Sequence, residues 1–477
     1  MPERKRVAVL ADSDTRWKWG VTTARRLVPD HRLAGYLLRG RATPTARQLG
    51  EVGVRTDRPA EVTCAEFLAE IERERYDVVV LALVGGAVQA VLHGARALWP
   101  APARRPVLVT GYVGVVYEKL ADGLLLRHGA DVVLANSRYD AERFRAVYEG
   151  VGADAGAVTE TALPFLGGAP YEPAGSRAHT VVFAVQPSVP DSRADRAYLL
   201  ERAAGHARKH PDREVLIKLR SKPGEHTTHL EEQPYQRLAE KIPGGLPANC
   251  RLVYGNMGEV LDGADLLVTV SSTAALESLH RAIPTAVLTD LGIREALGNH
   301  HFLGSGCLAS WDQLDAGLLP EGDPVWLAAQ GVRPAGAPGP ADAGKADTGP
   351  ADAGKADTGP AHTGPAGGPA QTGPRSAEGQ DAYAVARARV AGLLAAARLP
   401  SPAPYYTLTT APGYLPGILA RHRLAPDGTP LPGAARQEAG ESRLRRRLRA
   451  HLREAARGAY RHGVQRVAPV IRRLGEL

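Results

Sequence analysis

Three hydroxyl residues in a row, Ser271-Ser272-Thr273, follow the apolar run Leu266 to Val270 and precede a stretch of good helix formers, Ala274 to Ala282. A run rich in Val and Leu reads as a fully buried strand, and Ser and Thr cap helix N-termini. In a parallel sheet such a turn lies at the carboxyl ends of the strands, where open α/β folds bind ligands. The free N–H groups and positive dipole end of a helix there suit a phosphate, although a capped turn without a ligand would use the same residues. A second segment, Lys218-Leu-Arg220-Ser-Lys222-Pro-Gly-Glu-His226, follows a strand of the same region. Three cations and a histidine at a strand end suit a diphosphate or a nucleotide phosphate, with a solvated loop as the alternative.

Two further segments could carry chemistry. Asp12-Ser-Asp14 ends the first strand and is followed by Arg16, Trp17, Lys18 and Trp19. A carboxylate facing a cleft is a candidate general base, and Asp14 is preferred over Asp12, which sits closer to the strand end and suits a backbone cap. Gly111-Tyr112-Val-Gly114-Val-Val-Tyr117-Glu118-Lys119 follows another strand. Its glycines and aromatics, with Arg16 and Trp17, could line an acceptor pocket. Glu118 is a third candidate base, or else a surface partner of Lys119 or Arg127.

The elements that must position these residues alternate regularly. Residues 1–168 read as repeated βα units: strands at Arg6–Ala11, Leu33–Leu38, Asp77–Val84, Pro106–Thr110 and Asp131–Leu134, with helical patterns between them. The Pro/Gly stretch Pro164 to Gly175 interrupts the pattern, which restarts over residues 176–330. These alternations predict two doubly wound parallel sheets, joined by a short linker and facing one cleft. Residues 331–380 differ in kind. The decamer Ala-Asp-Ala-Gly-Lys-Ala-Asp-Thr-Gly-Pro occurs at 341–350 and again at 351–360, and so few large apolar residues predict a disordered linker. A helix over Ala382–Leu399 and a Pro/Tyr segment, within residues 381–440, are expected to pack back on the body.

Charge is concentrated at the end of the chain. Eleven arginines against three glutamates lie between Glu441 and Leu477, a net +8 that equals the charge of all 477 residues. The body is therefore close to neutral and has no basic face that would announce nucleic acid. Within the tail, Leu444, Leu448, Leu452, Ala455, Ala459 and Tyr460 fall at helical spacing. An amphipathic helix over Arg443 to Arg473 could lie on an anionic membrane surface or pack loosely on the body. The N-terminus does not resemble a signal peptide, and the apolar run Val78 to Leu92 is too short to span a membrane. Three widely spaced cysteines, Cys64, Cys250 and Cys307, suggest neither a zinc site nor a disulfide framework, so a cytoplasmic location is expected.

Two α/β domains, a basic loop after a strand of the second and a Ser-Ser-Thr turn opening a helix resemble a GT-B glycosyltransferase. Thr110-Gly-Tyr-Val-Gly114, Tyr117 through Arg127 and Asp131 through Ser137 resemble an uncharacterised actinobacterial family of glycosyltransferases. The second half is also similar in motif order to bacterial polysialyltransferases and CDP-glycerol glycerophosphotransferases. Those families use a Lys-x-His-Pro and a Ser-Ser/Thr segment on the phosphate of a cytidine nucleotide. The resemblance implies a donor-binding set of Lys218, Arg220, Lys222, His226, Ser271, Ser272, Thr273 and Glu277, with no bound metal or other cofactor. Arg220 stands where that motif has His and Pro223 comes late, so His226 is the nearest substitute for an acid. The implied activity is transfer of a sugar from a nucleotide to a cell-envelope glycan or polyol-phosphate acceptor at the cytoplasmic membrane face. A UDP-sugar 2-epimerase-like enzyme and a non-catalytic scaffold for wall-glycan assembly are the alternatives.

Overall fold

The computed structural model describes residues 4–40, 42–54, 59–115, 119–222, 225, 233–334 and 381–432. The first part of the chain runs β1 (Lys5–Ala11), α1 (Asp14–Leu27), β2 (His31–Leu38), α2 (Ala46–Glu51), β3 (Ala60–Val62) and α3 (Cys64–Glu74). It continues with β4 (Val78–Ala82), α4 (Gly85–Leu98), β5 (Val107–Gly111), α5 (Leu120–Leu125), β6 (Val132–Ala135), α6 (Arg138–Gly150) and β7 (Val158–Glu160). These seven strands form one parallel sheet in the order β3-β2-β1-β4-β5-β6-β7.

A second series follows: β8 (His179–Ala184), α7 (Arg193–Lys209), β9 (Arg213–Lys218), α8 (Tyr235–Ala239), β10 (Cys250–Val253) and α9 (Met257–Leu261). Then come β11 (Leu266–Thr269), α10 (Ala274–His280), β12 (Thr285–Leu288), β13 (Leu308–Ala309), α11 (Trp311–Asp315) and α12 (Pro324–Ala329). The six strands are again parallel, in the order β10-β9-β8-β11-β12-β13. The fold is the GT-B arrangement of two doubly wound Rossmann-like sheets. In both sheets the strand order reverses beside the first strand of its series, between β1 and β4 and between β8 and β11, which is where α/β folds leave a crevice for ligands.

Strand burial explains the unbroken apolar runs. Alternate residues of β1 go to opposite faces, Ala8 and Leu10 to one cluster with α3 and α4, Val7, Val9 and Ala11 to another with Trp17, Trp19 and Val21 of α1. Helix α1 lies close on the sheet because Gly20 has no side chain; a Cβ there would stand 2.6 Å from Val9 and 2.9 Å from Ala82. Ser13 caps α1, and Thr45 and Thr63 close capping boxes on α2 and α3 with Gln48 and Glu66.

After α12, Val332 is 2% exposed in the core of the second sheet, although it falls in the span 331–380 expected to be linker. The repeats within 335–380 and the basic tail within 433–477 lie outside the described residues. Residues 381–432 return to the first sheet as α13 (Ala384–Ala395) and α14 (Leu415–Arg421). Tyr383, Ala386 and Val390 join the cluster under α1, while Leu415, Leu419 and Leu424 join the one under α4. Arg105, 7% exposed, fastens the returning chain by donating to Pro400 O and pairing with Asp131 at 2.7 Å. Among the described residues, no helix is long and apolar enough to cross a membrane.

Candidate active site

Strand β9 ends at Lys218, whose side chain is almost buried and donates from Nζ to Leu219 O at 2.7 Å. Burial pushes its pKa down to about 8. Two residues on, Arg220 leaves the second sheet and donates to Asp14 Oδ1 at 2.7 Å and Thr15 Oγ1 at 2.6 Å, at the start of α1. Asp14 is 8% exposed. Burial favours its protonated form, but the charge and hydrogen bond of Arg220 outweigh that and hold the carboxyl below the usual value. The preferred base and a donor-site cation, 206 residues apart, are thus partners of each other.

The neighbouring strand end is organised by a glutamine. Ser271 donates its N–H to Gln186 Oε1 at 3.0 Å, and the Ser271 hydroxyl lies 3.4 Å from the same amide. Ser272 gives its N–H to Thr269 Oγ1 at 3.2 Å and its hydroxyl accepts from Ala274 N–H at 3.2 Å, a local turn just ahead of α10. Thr273 has helical backbone angles and makes no side-chain cap. It faces Gly114 so closely that a Cβ there would stand 2.9 Å from the Thr273 hydroxyl. Glu277, one turn into α10, pairs with Lys18 of α1 at 3.5 Å. Lys222 lies over the Tyr254 ring at 5.6 Å and gives its N–H to Glu225, which in turn pairs with Arg47. Three ion pairs, Asp14–Arg220, Lys18–Glu277 and Arg47–Glu225, therefore join the two series of elements along their strand ends.

The first sheet departs from the expected acceptor lining at three positions. Trp17 is 1% exposed and sits over Gly35, where a Cβ would stand 2.3 Å from the indole. It is core, because the face of α1 that meets the sheet is its aromatic face. Gly111 is the last residue of β5; a Cβ would meet Leu134 O and Trp19 at 2.9 Å, and its carbonyl accepts from Arg127 Nε. Its lack of a side chain serves packing. Tyr112 lies under the Arg127 guanidinium, 4.0 Å from the ring centroid, and tilts against Phe144, so the ring faces inward. Arg127 spends its donors on Gly111 O, Gly123 O and Leu83 O. Arg16 pairs with Asp12 at 3.0 Å, and Asp12 also accepts the Val84 N–H at 2.9 Å. Tyr117, Glu118 and His226 lie outside the described residues.

Sequence reasoning missed Gln186, Thr15 and the Arg47–Glu225 pair. Gln186 was within reach, since it follows the end of β8 by two residues as Arg220 follows the end of β9; the other two depend on which strand ends face each other. Among the described residues, His206, His210 and Asp315 are the one group close enough to hold a metal. His206 Nδ1 lies 2.6 Å from Asp315, while Arg213 and Arg202 lie 3.3 Å from the other sides of His206 and Asp315. His206 and Asp315 thus already have partners within the protein, whereas His210 Nε2 is buried without a hydrogen-bond partner.

Residues 7–345 match the family described as "Putative glycosyltransferase (DUF6716)", and the chain belongs to it. It is a glycosyltransferase-family enzyme by that membership. No curated protein matches the chain. Among solved structures, the chain is similar to a "putative UDP-N-acetylglucosamine 2-epimerase" from Listeria monocytogenes, at 12% identity and TM-score 0.42 over 67% of this chain and 93% of that one. The epimerase from Methanocaldococcus jannaschii, in complex with UDP-GlcNAc and UDP, is 11% identical with TM-score 0.44, covering 68% and 97%. The glycotransferase of kitacinnamycin is 15% identical with TM-score 0.40, covering 66% and 90%.

Proposed function

We propose that the enzyme transfers a sugar from a nucleotide donor, a cytidine nucleotide by its motif order, to a hydroxyl of a cell-envelope glycan or polyol phosphate at the cytoplasmic membrane face, without a bound metal. The observation that carries this reading is the Asp14–Arg220 pair, which sets a buried carboxylate of the first sheet against the basic strand end of the second. Lys218 ends β9 with Arg220 just beyond it, and the Ser271–Thr273 turn follows β11; these two strands flank β8, which favours a single phosphate site at their ends. A diphosphate there competes with Asp14 for Arg220. Once Arg220 turns to the phosphate, the carboxylate keeps its burial and loses its counter-charge, so its pKa rises and it becomes a competent base for the acceptor hydroxyl. The acceptor oxygen then attacks the anomeric carbon, Asp14 takes its proton, and the C–O bond to phosphate breaks with its electrons. Lys218, Arg220 and the hydroxyl turn stabilise the departing phosphate.

Single-turnover incubation with CDP-, UDP- and GDP-sugars tests this. Release of nucleotide with the sugar bonded to an acceptor supports transfer; sugar altered but still on the nucleotide would mean epimerisation. A folded protein that binds and releases no nucleotide would leave a scaffold role.

A further inference from the structure

The carboxyl end of the first sheet holds a cavity of about 560 Å³, walled on one side by Val84, Gly86 and Leu126 and on the other by Tyr414, Ile418 and His422. One wall comes from the α4 entrance and the other from α14, in the returning segment that the family match at 7–345 does not include. The lining is mostly apolar. Val84 and Tyr414 expose 36% and 43% of their surface beside the cavity. Tyr414 is held by its hydroxyl, which donates to Asp122 at 3.2 Å, so the aromatic wall is fixed in place. Charged and titratable groups stand beside the apolar wall. Arg421 and His422 line the cavity there, and the Val84 N–H binds Asp12, which pairs with Arg16.

We infer that this cavity holds the apolar tail of an amphiphilic acceptor, a sugar or polyol head carried on an alkyl or isoprenoid chain. The inference rests on the transferase reading only for the word acceptor; the cavity and its chemistry stand without it. A volume of this size takes a drug-sized body, and its apolar wall with a few polar groups beside it matches a molecule with one wet and one dry end. The head lies toward Asp12 and His422, on the side of the strand ends from which Asp14 reaches Arg220. The tail lies between α4 and α14. A bare glycan leaves the apolar wall wet and gains nothing from it.

Octyl β-D-glucoside and methyl β-D-glucoside are the probes, measured by calorimetry on the full chain without nucleotide and below the micellar concentration. The octyl compound should bind at least about tenfold tighter, since each buried methylene adds to affinity. Gly417 lines the cavity and is exposed, and a Cβ there meets nothing within 4 Å, so the side chain of Gly417→Phe has room to start beside it. It should weaken octyl glucoside binding by about tenfold or more while the melting temperature and nucleotide affinity hold. Gly86→Leu at the opposite wall, where a Cβ would stand 3.8 Å from Ile418, is the second variant and should act in the same direction. Equal affinity for the two glucosides, or octyl glucoside binding unchanged in both variants, overturns the inference. Self-association of the wild type that Gly417→Phe abolishes would assign the cavity to a second copy and also overturn it. Failure of nucleotide binding alone would sink the transferase reading and leave the amphiphile site standing.

Discussion

Asp14 carries two roles that a single substitution separates. Asp14→Asn keeps the shape and removes the base, so turnover should fall by about 10²–10⁴-fold. Nucleotide affinity should hold or tighten by a few-fold, since Arg220 loses its competitor; single-turnover rates and nucleotide titration of the same variant check both. Loss of nucleotide binding would make Asp14 a structural residue. The same carboxyl gives a pH signature. Its pKa is lowered in the fold, so it contributes stability above its unfolded value of about 4, and that contribution is lost as pH falls through the lower folded value. The stability gap between wild type and Asp14→Asn should therefore close below about pH 4, measured by urea unfolding. Lys218 works in the other direction. With its pKa at about 8 it is charged below that pH, so nucleotide affinity should weaken as pH rises past 8, and Lys218→Met should flatten the dependence. Replacing Ser271 and Ser272 together by Ala should weaken nucleotide binding by about 1–3 kcal/mol in a folded protein.

At the scale of elements, the alternation of strands and helices was legible because buried parallel strands are written as unbroken Val and Leu runs. Helix α7, Arg193–Lys209, falls in the polar stretch between two such runs. Strands β3, β7 and β13 were not legible, being two or three residues long at or near sheet edges with little apolar signal. The candidate site was legible as strand ends and misread in its side chains. Trp17 stands among charged residues and so looked exposed, yet the helix turns it inward beside Val21 and Ala24. Nothing local marks Arg220 as the partner of Asp14, since that depends on two sheets meeting. Helix α1 depends on close approach at Gly20. Gly20→Val should destabilise the protein by about 1–3 kcal/mol by thermal or urea unfolding, because neither Val9 nor Ala82 can retreat from a packed strand. A neutral outcome would mean that α1 can lift from the sheet.

Across the whole molecule, the first sheet is completed by residues made long after its own strands. Tyr383 is 2% exposed and donates its hydroxyl to Ala162 O at 2.9 Å, 221 residues back along the chain. Tyr383→Ala should cost about 3–5 kcal/mol, a core-sized loss that unfolding in urea would register. The separation also has a consequence for synthesis. At about 5–20 residues per second, the ribosome needs roughly 10–50 s after making Glu160, the last residue of β7, to reach Ala395, the last residue of α13. During that interval the nascent first half carries an uncovered apolar patch where Tyr383, Ala386 and Val390 will later sit. Translation speed over the intervening codons, and the supply of chaperones that shield such patches, thereby become determinants of how much active enzyme a cell recovers.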